Sequence, residues 1–147
     1  MATFTKTHKY LASKVNPVAA TDTVDWNDDT IKWMLVDSTT APAAATHDYI
    51  NDLSANEVTG ANYTAGGTAL TSKSITGTTT VNFDCADTVW AQNASGFTDA
   101  RYALLYKDTG VEATSIIVGY IDLGSVVSTV TGPLTLQIAA GGLFDAT

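Results

Sequence analysis

The sequence contains little of what most protein chemistries require. It has one cysteine, Cys85, in 147 residues, so no disulfide can close within the chain. It has one arginine, Arg101, and seven basic residues against fifteen acidic ones, a formal net charge of −8 at pH 7. A surface that grips nucleic acid displaces counterions from phosphate with clustered Lys and Arg. Seven scattered bases on an acidic chain do not make such a surface. The two histidines, His8 and His47, have neither a second histidine nor a cysteine at ligand spacing, so a zinc site lacks its donors. No apolar run reaches the ~18 residues that a membrane span needs. The opening stretch MATFTKTHKYLASKVN lacks the apolar centre of a signal peptide. Synthesis in the cytoplasm, with no membrane anchor, is the expectation.

What is present favours strands. Hydrophobic residues make up 45% of the chain and charged residues only 15%, and threonine, at 25 copies, supplies much of the remaining polarity. Threonine is β-branched and suits a pleated, half-wet surface. The length is that of one domain with a single core. Residues 1–20 read as an N-terminal arm or edge segment, and residues 21–147 as one β domain. In IKWMLV, Ile31, Trp33 and Leu35 alternate with Lys32, Met34 and Val36. In RYALLYK, Tyr102, Leu104 and Tyr106 share one face and Ala103 and Leu105 the other, so both faces of that strand are expected to be buried. EVTGANY reads as a short strand broken by Gly60. ALTSKSIT, TTTVNFDCAD extended by TVWAQ, TSIIVGYIDLG and GPLTLQIAAGGLF read as further strands. One helical turn is expected in THDYINDLS, with Thr46 as N-cap and Asp48 near the positive end of its dipole. The pattern is mainly β: an antiparallel sandwich or partly open barrel with one short helix. The alternation of strand and helix that a nucleotide-binding α/β fold requires is not there.

Candidate chemistries can be tested one by one. Gly66-Gly67 is followed by TALTSKSIT. It lacks the lysine of a phosphate-binding loop and the helix that a dinucleotide loop leads into. A turn is the expectation, since glycine is the usual residue where φ is positive. Asp22, Asp25, Asp28 and Asp29 have neither the spacing nor the glycine of an EF-hand loop. They read as a solvated loop, with weak calcium binding of another kind left open. Cys85 falls on the apolar face of its strand and reads as a buried thiol, with a cysteine hydrolase built on Cys85 and His47 as the alternative. Arg101, beside Asp99, is expected to pair with a carboxylate and fix strand register. Trp26, Trp33 and Trp90 are expected in packing, or, if exposed, as a sugar platform. NYT and NAS match the glycosylation acceptor pattern. No catalytic, cofactor-binding or metal-ligating residue is assigned, and an enzyme is not expected.

The segments DTIKWMLVDST, THDYINDLSANEVTGANYTAGGTAL, DARYALLYKDTG, IIVGYIDLG and LTLQIAAGGLFDAT, in that order, resemble a set of small tailed-bacteriophage virion structural proteins. The resemblance covers residues 28–147, and its most specific part is the turn followed by EVTGANYTAGGTAL. It implies a particle component. The acidic charge and small size favour a decoration, or cement, protein on the outer surface of the head. Such a protein binds the major capsid protein as a homo-oligomer, a trimer being favoured, without nucleic acid or membrane, and needs no cofactor. A tail tube or head–tail joining protein is the alternative, and a particle-displayed carbohydrate-binding module a third reading.

Overall fold

A computed structural model describes residues 3–7, 10 and 23–146. Among them are ten strands: β1 (Phe4–Lys6), β2 (Ile31–Val36), β3 (Thr68–Ala69), β4 (Ser74–Thr76), β5 (Val81–Asp84), β6 (Thr88–Trp90), β7 (Ala100–Lys107), β8 (Ile117–Val127), β9 (Leu134–Leu136) and β10 (Phe144–Ala146). All pair antiparallel, in a five-stranded sheet ordered β1-β8-β7-β2-β3, a three-stranded sheet β10-β5-β4 and a two-stranded ribbon β6-β9. The fold is mainly β and sandwich-like.

The five-stranded sheet is the body. Successive side chains of a strand point to opposite faces, and β2 and β7 are apolar on both. Ile31, Trp33, Leu35, Ala103 and Leu105 enter one cluster with Phe83, Phe144, Trp90, Leu134 and Leu136 of the smaller sheets. Met34, Val36, Leu104 and Tyr106 enter a second cluster on the opposite face, closed by Ile50 and Leu53 from a layer of 3-10 turns. Both faces of the central strands are therefore covered. Each fully buried large aliphatic contributes about 1.5–3 kcal/mol, so the middle of this sheet resists opening.

β8 leaves regular alternation twice. The ladder with β7 shifts register between Leu105 and Tyr106 and again between Ala100 and Tyr102. At the second shift residues 124–126 protrude into solvent, held by Arg101, whose guanidinium donates to the Gly124 carbonyl at 2.8 Å. On its other edge β8 pairs with β1, Lys6 opposite Gly119. A Cβ on Gly119 would lie 2.6 Å from Phe4 Cε1, so glycine here makes room for the Phe4 ring.

Several expectations change. The helical turn is two consecutive 3-10 turns, Ile50–Asp52 and Ser54–Asn56. Thr46 does not cap it. Asp52 reaches back instead and accepts the amides of Asp48 at 2.9 Å and Tyr49 at 3.1 Å. EVTGANY is not a strand: only Glu57 forms a bridge, to Val36, and a turn follows because Gly60 presses against the Gly96-Phe97 backbone. ALTSKSIT divides between β3 and β4, which belong to different sheets, with Ser72 at φ 51° between them. TVWAQ does not extend β5; Thr88–Trp90 crosses to pair with β9. Of segment 1–20, Phe4–Lys6 forms the edge strand β1 and Tyr10 is buried. Residues 1, 2, 8, 9 and 11–20, His8 included, lie outside the described residues, as does Asp22.

Candidate functional site

The Gly66-Gly67 stretch is a turn, held by a part-buried hydrogen-bond chain. Both glycines have positive φ, 82° and 81°, and the Gly67 amide closes onto the Thr64 carbonyl at 2.9 Å. The turn delivers Thr68–Ala69 to the edge of β2. Glu57 sits behind it: one carboxylate oxygen accepts the Gly66 amide at 2.7 Å and the Tyr63 hydroxyl at 2.8 Å. The Tyr63 hydroxyl in turn accepts the Leu35 amide at 3.0 Å, and the Tyr106 hydroxyl donates to the Gly66 carbonyl at 2.6 Å. Burial pushes the Tyr63 hydroxyl far above its ordinary pKa, with neighbouring Glu57 adding to the shift. Burial raises Tyr106 likewise, with Asp108 adding. Both phenols therefore stay protonated and donate. The Gly66 amide faces a carboxylate of the protein itself and the Gly67 amide a backbone carbonyl, the opposite of a phosphate cradle.

The described cations are all bonded within the chain. Lys32 pairs with Asp108 at 2.6 Å and Lys107 with Asp29 at 3.0 Å, while Lys6 donates to the Asp145 carbonyl at 2.7 Å. Lys73 donates to the Asp29 carbonyl. Arg101 pairs with Asp122 at 2.9 Å, across the β7-β8 ladder and not with its sequence neighbour Asp99. The Lys32 hydrogen bond holds the Asp108 carboxyl below the usual range, and the Gly124 amide together with Arg101 does the same for Asp122. What the surface has left uncompensated is acidic.

The acidic loop uses its carboxylates on its own backbone. Asp25 accepts the amides of Asn27 at 3.0 Å and Asp28 at 3.1 Å, and Asp29 accepts the Asp25 amide at 2.7 Å while pairing with Lys107. Among the described residues no group of three or more His, Cys, Asp or Glu side chains is arranged to hold a metal. The acceptor-pattern asparagines are also engaged: Asn62 donates to Thr129 Oγ1 at 2.9 Å, and Asn93 accepts the Ser95 amide at 2.8 Å.

Cys85 and His47 do not form a dyad among the described residues. Cys85 is in the core, and burial, with Asp84 and Asp87 beside it, raises its thiol to about 11. His47 accepts the Ala43 amide at Nδ1, 3.0 Å, closing its own turn. A nucleophile needs the reverse, a depressed pKa and a base within reach. The three tryptophans are at most 3% exposed, so none offers a face to a sugar. Trp26 and Phe83 meet edge to face at 5.4 Å, and Trp90 packs on Phe97 at 6.5 Å.

Two concavities among the described residues bear on a binding role. The first, about 700 Å³, opens between the β1-β8 edge and residues 134–143; apolar side chains including Phe4, Ile121, Leu123, Val127, Leu134 and Leu143 share its wall with Thr135 and Gln137, and its exposed surface mixes apolar and polar atoms. The second, about 250 Å³, holds the Lys32–Asp108 ion pair and the Glu112 carboxylate, which accepts the Ser54 hydroxyl at 2.7 Å, so it keeps a net negative charge. Neither the cleft nor the Glu57 chain was foreseen from sequence. The cleft joins segments more than a hundred residues apart. The chain over residues 57–66 is local, yet nothing in its residue types distinguishes a buried Glu57 from a solvated one. Comparison with known protein families, characterised proteins and solved structures yields no match.

Proposed function

We propose that this chain is a bacteriophage virion structural protein, a decoration (cement) protein that binds the outer surface of the head. The observation that carries the reading is the use made of polar side chains. The described bases, the Glu57 carboxylate and the Asp25–Asp29 turn are bonded within the fold. The central strands are covered on both faces by apolar packing, and the exterior retains excess acid. Such a body works by contact. Its charge sets it against packaged nucleic acid and suits the outside of a particle.

In this role the protein, as a homo-oligomer with a trimer favoured, bridges adjacent major capsid protein subunits and adds buried area across joints that internal pressure opens. Many copies acting together turn modest single contacts into particle stability. The test mixes purified protein with empty expanded heads that lack it. Saturable binding that raises the temperature at which heads rupture is the expected result. Assembly into rings or tubes without heads, and no head binding, selects a tail or head–tail joining role and overturns this one.

A further inference from the structure

We propose that the free edge of β4 pairs antiparallel with β4 of a second copy of this chain, about a two-fold axis at Ile75. β4 is an edge strand of the β10-β5-β4 sheet, with a described neighbour on one side only. Its register with β5 sets Ile75 opposite Phe83. Phe83 turns its carbonyl the other way, toward β10, where it accepts the Leu143 amide at 2.7 Å. Antiparallel neighbours alternate between bonded and non-bonded pairs. Ser74 and Thr76 therefore bond to β5, and the Ile75 N–H and C=O point away from it, along the open edge. A two-fold axis at Ile75 makes that edge self-complementary. Each Ile75 amide meets the Ile75 carbonyl of the other copy, and Ser74 stands opposite Thr76 of the other copy. The two Ile75 side chains, each 43% exposed in the single chain, then lie side by side.

Natural sheets guard an exposed edge with charge, proline or a covering element. This edge has none of these among the described residues. Lys73 is the one charged residue between Glu57 and Asp84, and its ammonium is drawn onto the Asp29 carbonyl. Residues 75–80 are exposed and uncharged. The other edges are less open: β3 has two residues, and Lys6 of β1 donates to the Asp145 carbonyl of β10, tying those two edges together. Charge selects the occupant. Two copies, each of net charge −8, repel wherever their acids face each other. On β4 no carboxylate stands in the way. A charged partner finds no opposite charge there, whereas a second copy brings the matching amide, carbonyl and apolar side chain. Gly77, at φ 95°, turns the chain after three residues, so the contact is small and reversible. The inference does not rest on the decoration reading, since a two-fold contact can join free copies or neighbouring trimers alike.

Ile75→Cys combined with Cys85→Ala leaves a single thiol, on the axis. Val111→Cys in the same background places one at a site that is also exposed, 57%, but off this edge. Both full-length variants are oxidised at a series of protein concentrations and run on a denaturing gel without reductant. Edge pairing gives a covalent dimer of the Ile75→Cys variant that reverts on reduction, at concentrations where the Val111→Cys variant stays monomeric. No dimer, or equal dimer from both variants, overturns the proposal. If the Cys85→Ala background fails to fold, sedimentation equilibrium of the unmodified protein decides, compared with Ile75→Glu, which sets two carboxylates against each other across the axis. Ile75 is exposed, so this change leaves the core closed. A mass that grows with concentration, with the growth lost in Ile75→Glu, is expected. A mass independent of concentration, or growth that survives the substitution, overturns the pairing. Neither readout involves heads, so failure here leaves head binding to its own test.

Discussion

Gly66 and Gly67 have nearly the same backbone conformation, φ +82° and +81°, yet their surroundings differ, and alanine at each separates strain from crowding. A Cβ on Gly66 would meet nothing nearer than the Tyr106 hydroxyl at 3.7 Å and Lys32 Nζ at 4.0 Å. A Cβ on Gly67 would overlap the Trp33 carbonyl oxygen and lie 2.7 Å from its carbon and 2.9 Å from Met34 Cα. Those are backbone atoms of β2, in the middle of the sheet, and they cannot swing aside. Left-handed strain costs about 1–2 kcal/mol, and the stiffer unfolded chain offsets about 0.4–1 kcal/mol of it. Gly66→Ala should therefore lose about 1 kcal/mol. Gly67→Ala adds overpacking of about 1–3 kcal/mol and should lose about 3 kcal/mol, with β3 pulled from the edge of β2. Urea unfolding followed by tryptophan fluorescence measures both, because all three indoles are buried. In thermal unfolding a domain of this size falls ~2–4 °C per kcal/mol, so the two variants should separate by roughly 4–8 °C. Equal losses, or a larger loss at Gly66, would mean that the turn does not press against Trp33 and would refute the reasoning.

Tyr63→Phe should cost about 2 kcal/mol, because it strands the Leu35 amide at a fully buried position and removes a donor from Glu57; a urea-measured loss under about 0.5 kcal/mol would show that water or another group replaces the hydroxyl. Tyr10, Tyr63 and Tyr106 are all raised by burial, so the unfolded chain ionises first. Their contribution to stability is complete below the ordinary tyrosine pKa of about 10 and is lost as pH rises above it. Absorbance titration should show these phenols ionising late and together with unfolding; titration of all six near pH 10 in an intact fold would contradict their burial. Cys85, with its thiol raised to about 11, should react slowly with a thiol reagent in the native protein at pH 8 and fast in denaturant, and immediate native labelling would place it outside the core.

How much of this was legible in the sequence follows from the range over which each feature is set. The faces of β2 and β7 are fixed by one backbone period, so Ile31, Trp33 and Leu35 separate from Met34 and Val36 in the fold as they do in the sequence. A strand apolar on both faces must be covered on both, and that alone implies layers. The short strands are different. β3, β4, β6 and β9 have two to three residues each, and their partners are chosen by packing elsewhere. The threonine-rich pattern from Thr68 to Trp90 therefore reads as two strands and folds as four, shared among three sheets. The turn at Ile50–Asn56 shows the same limit on a smaller scale. Its polar residues suit a helix start, and Asp52 captures the two amides before it, which closes 3-10 geometry before an α-helix can propagate.

The slot for Phe4 lies at the far end of that scale. Its shape depends on the absence of one side chain at Gly119 and on rings at Trp33 and Phe144, positions separated from Phe4 by 115, 29 and 140 residues. No pattern local to residues 1–10 marks that stretch as anything but a polar terminus with two aromatics. Gly119, read locally, is a weak point in a strand. Only their apposition turns one into a plug and the other into its socket. Gly119→Val, which fills the socket, should displace the Phe4 ring and cost about 1–3 kcal/mol in urea unfolding. Unchanged stability would show that the Phe4 ring does not occupy the space beside Gly119.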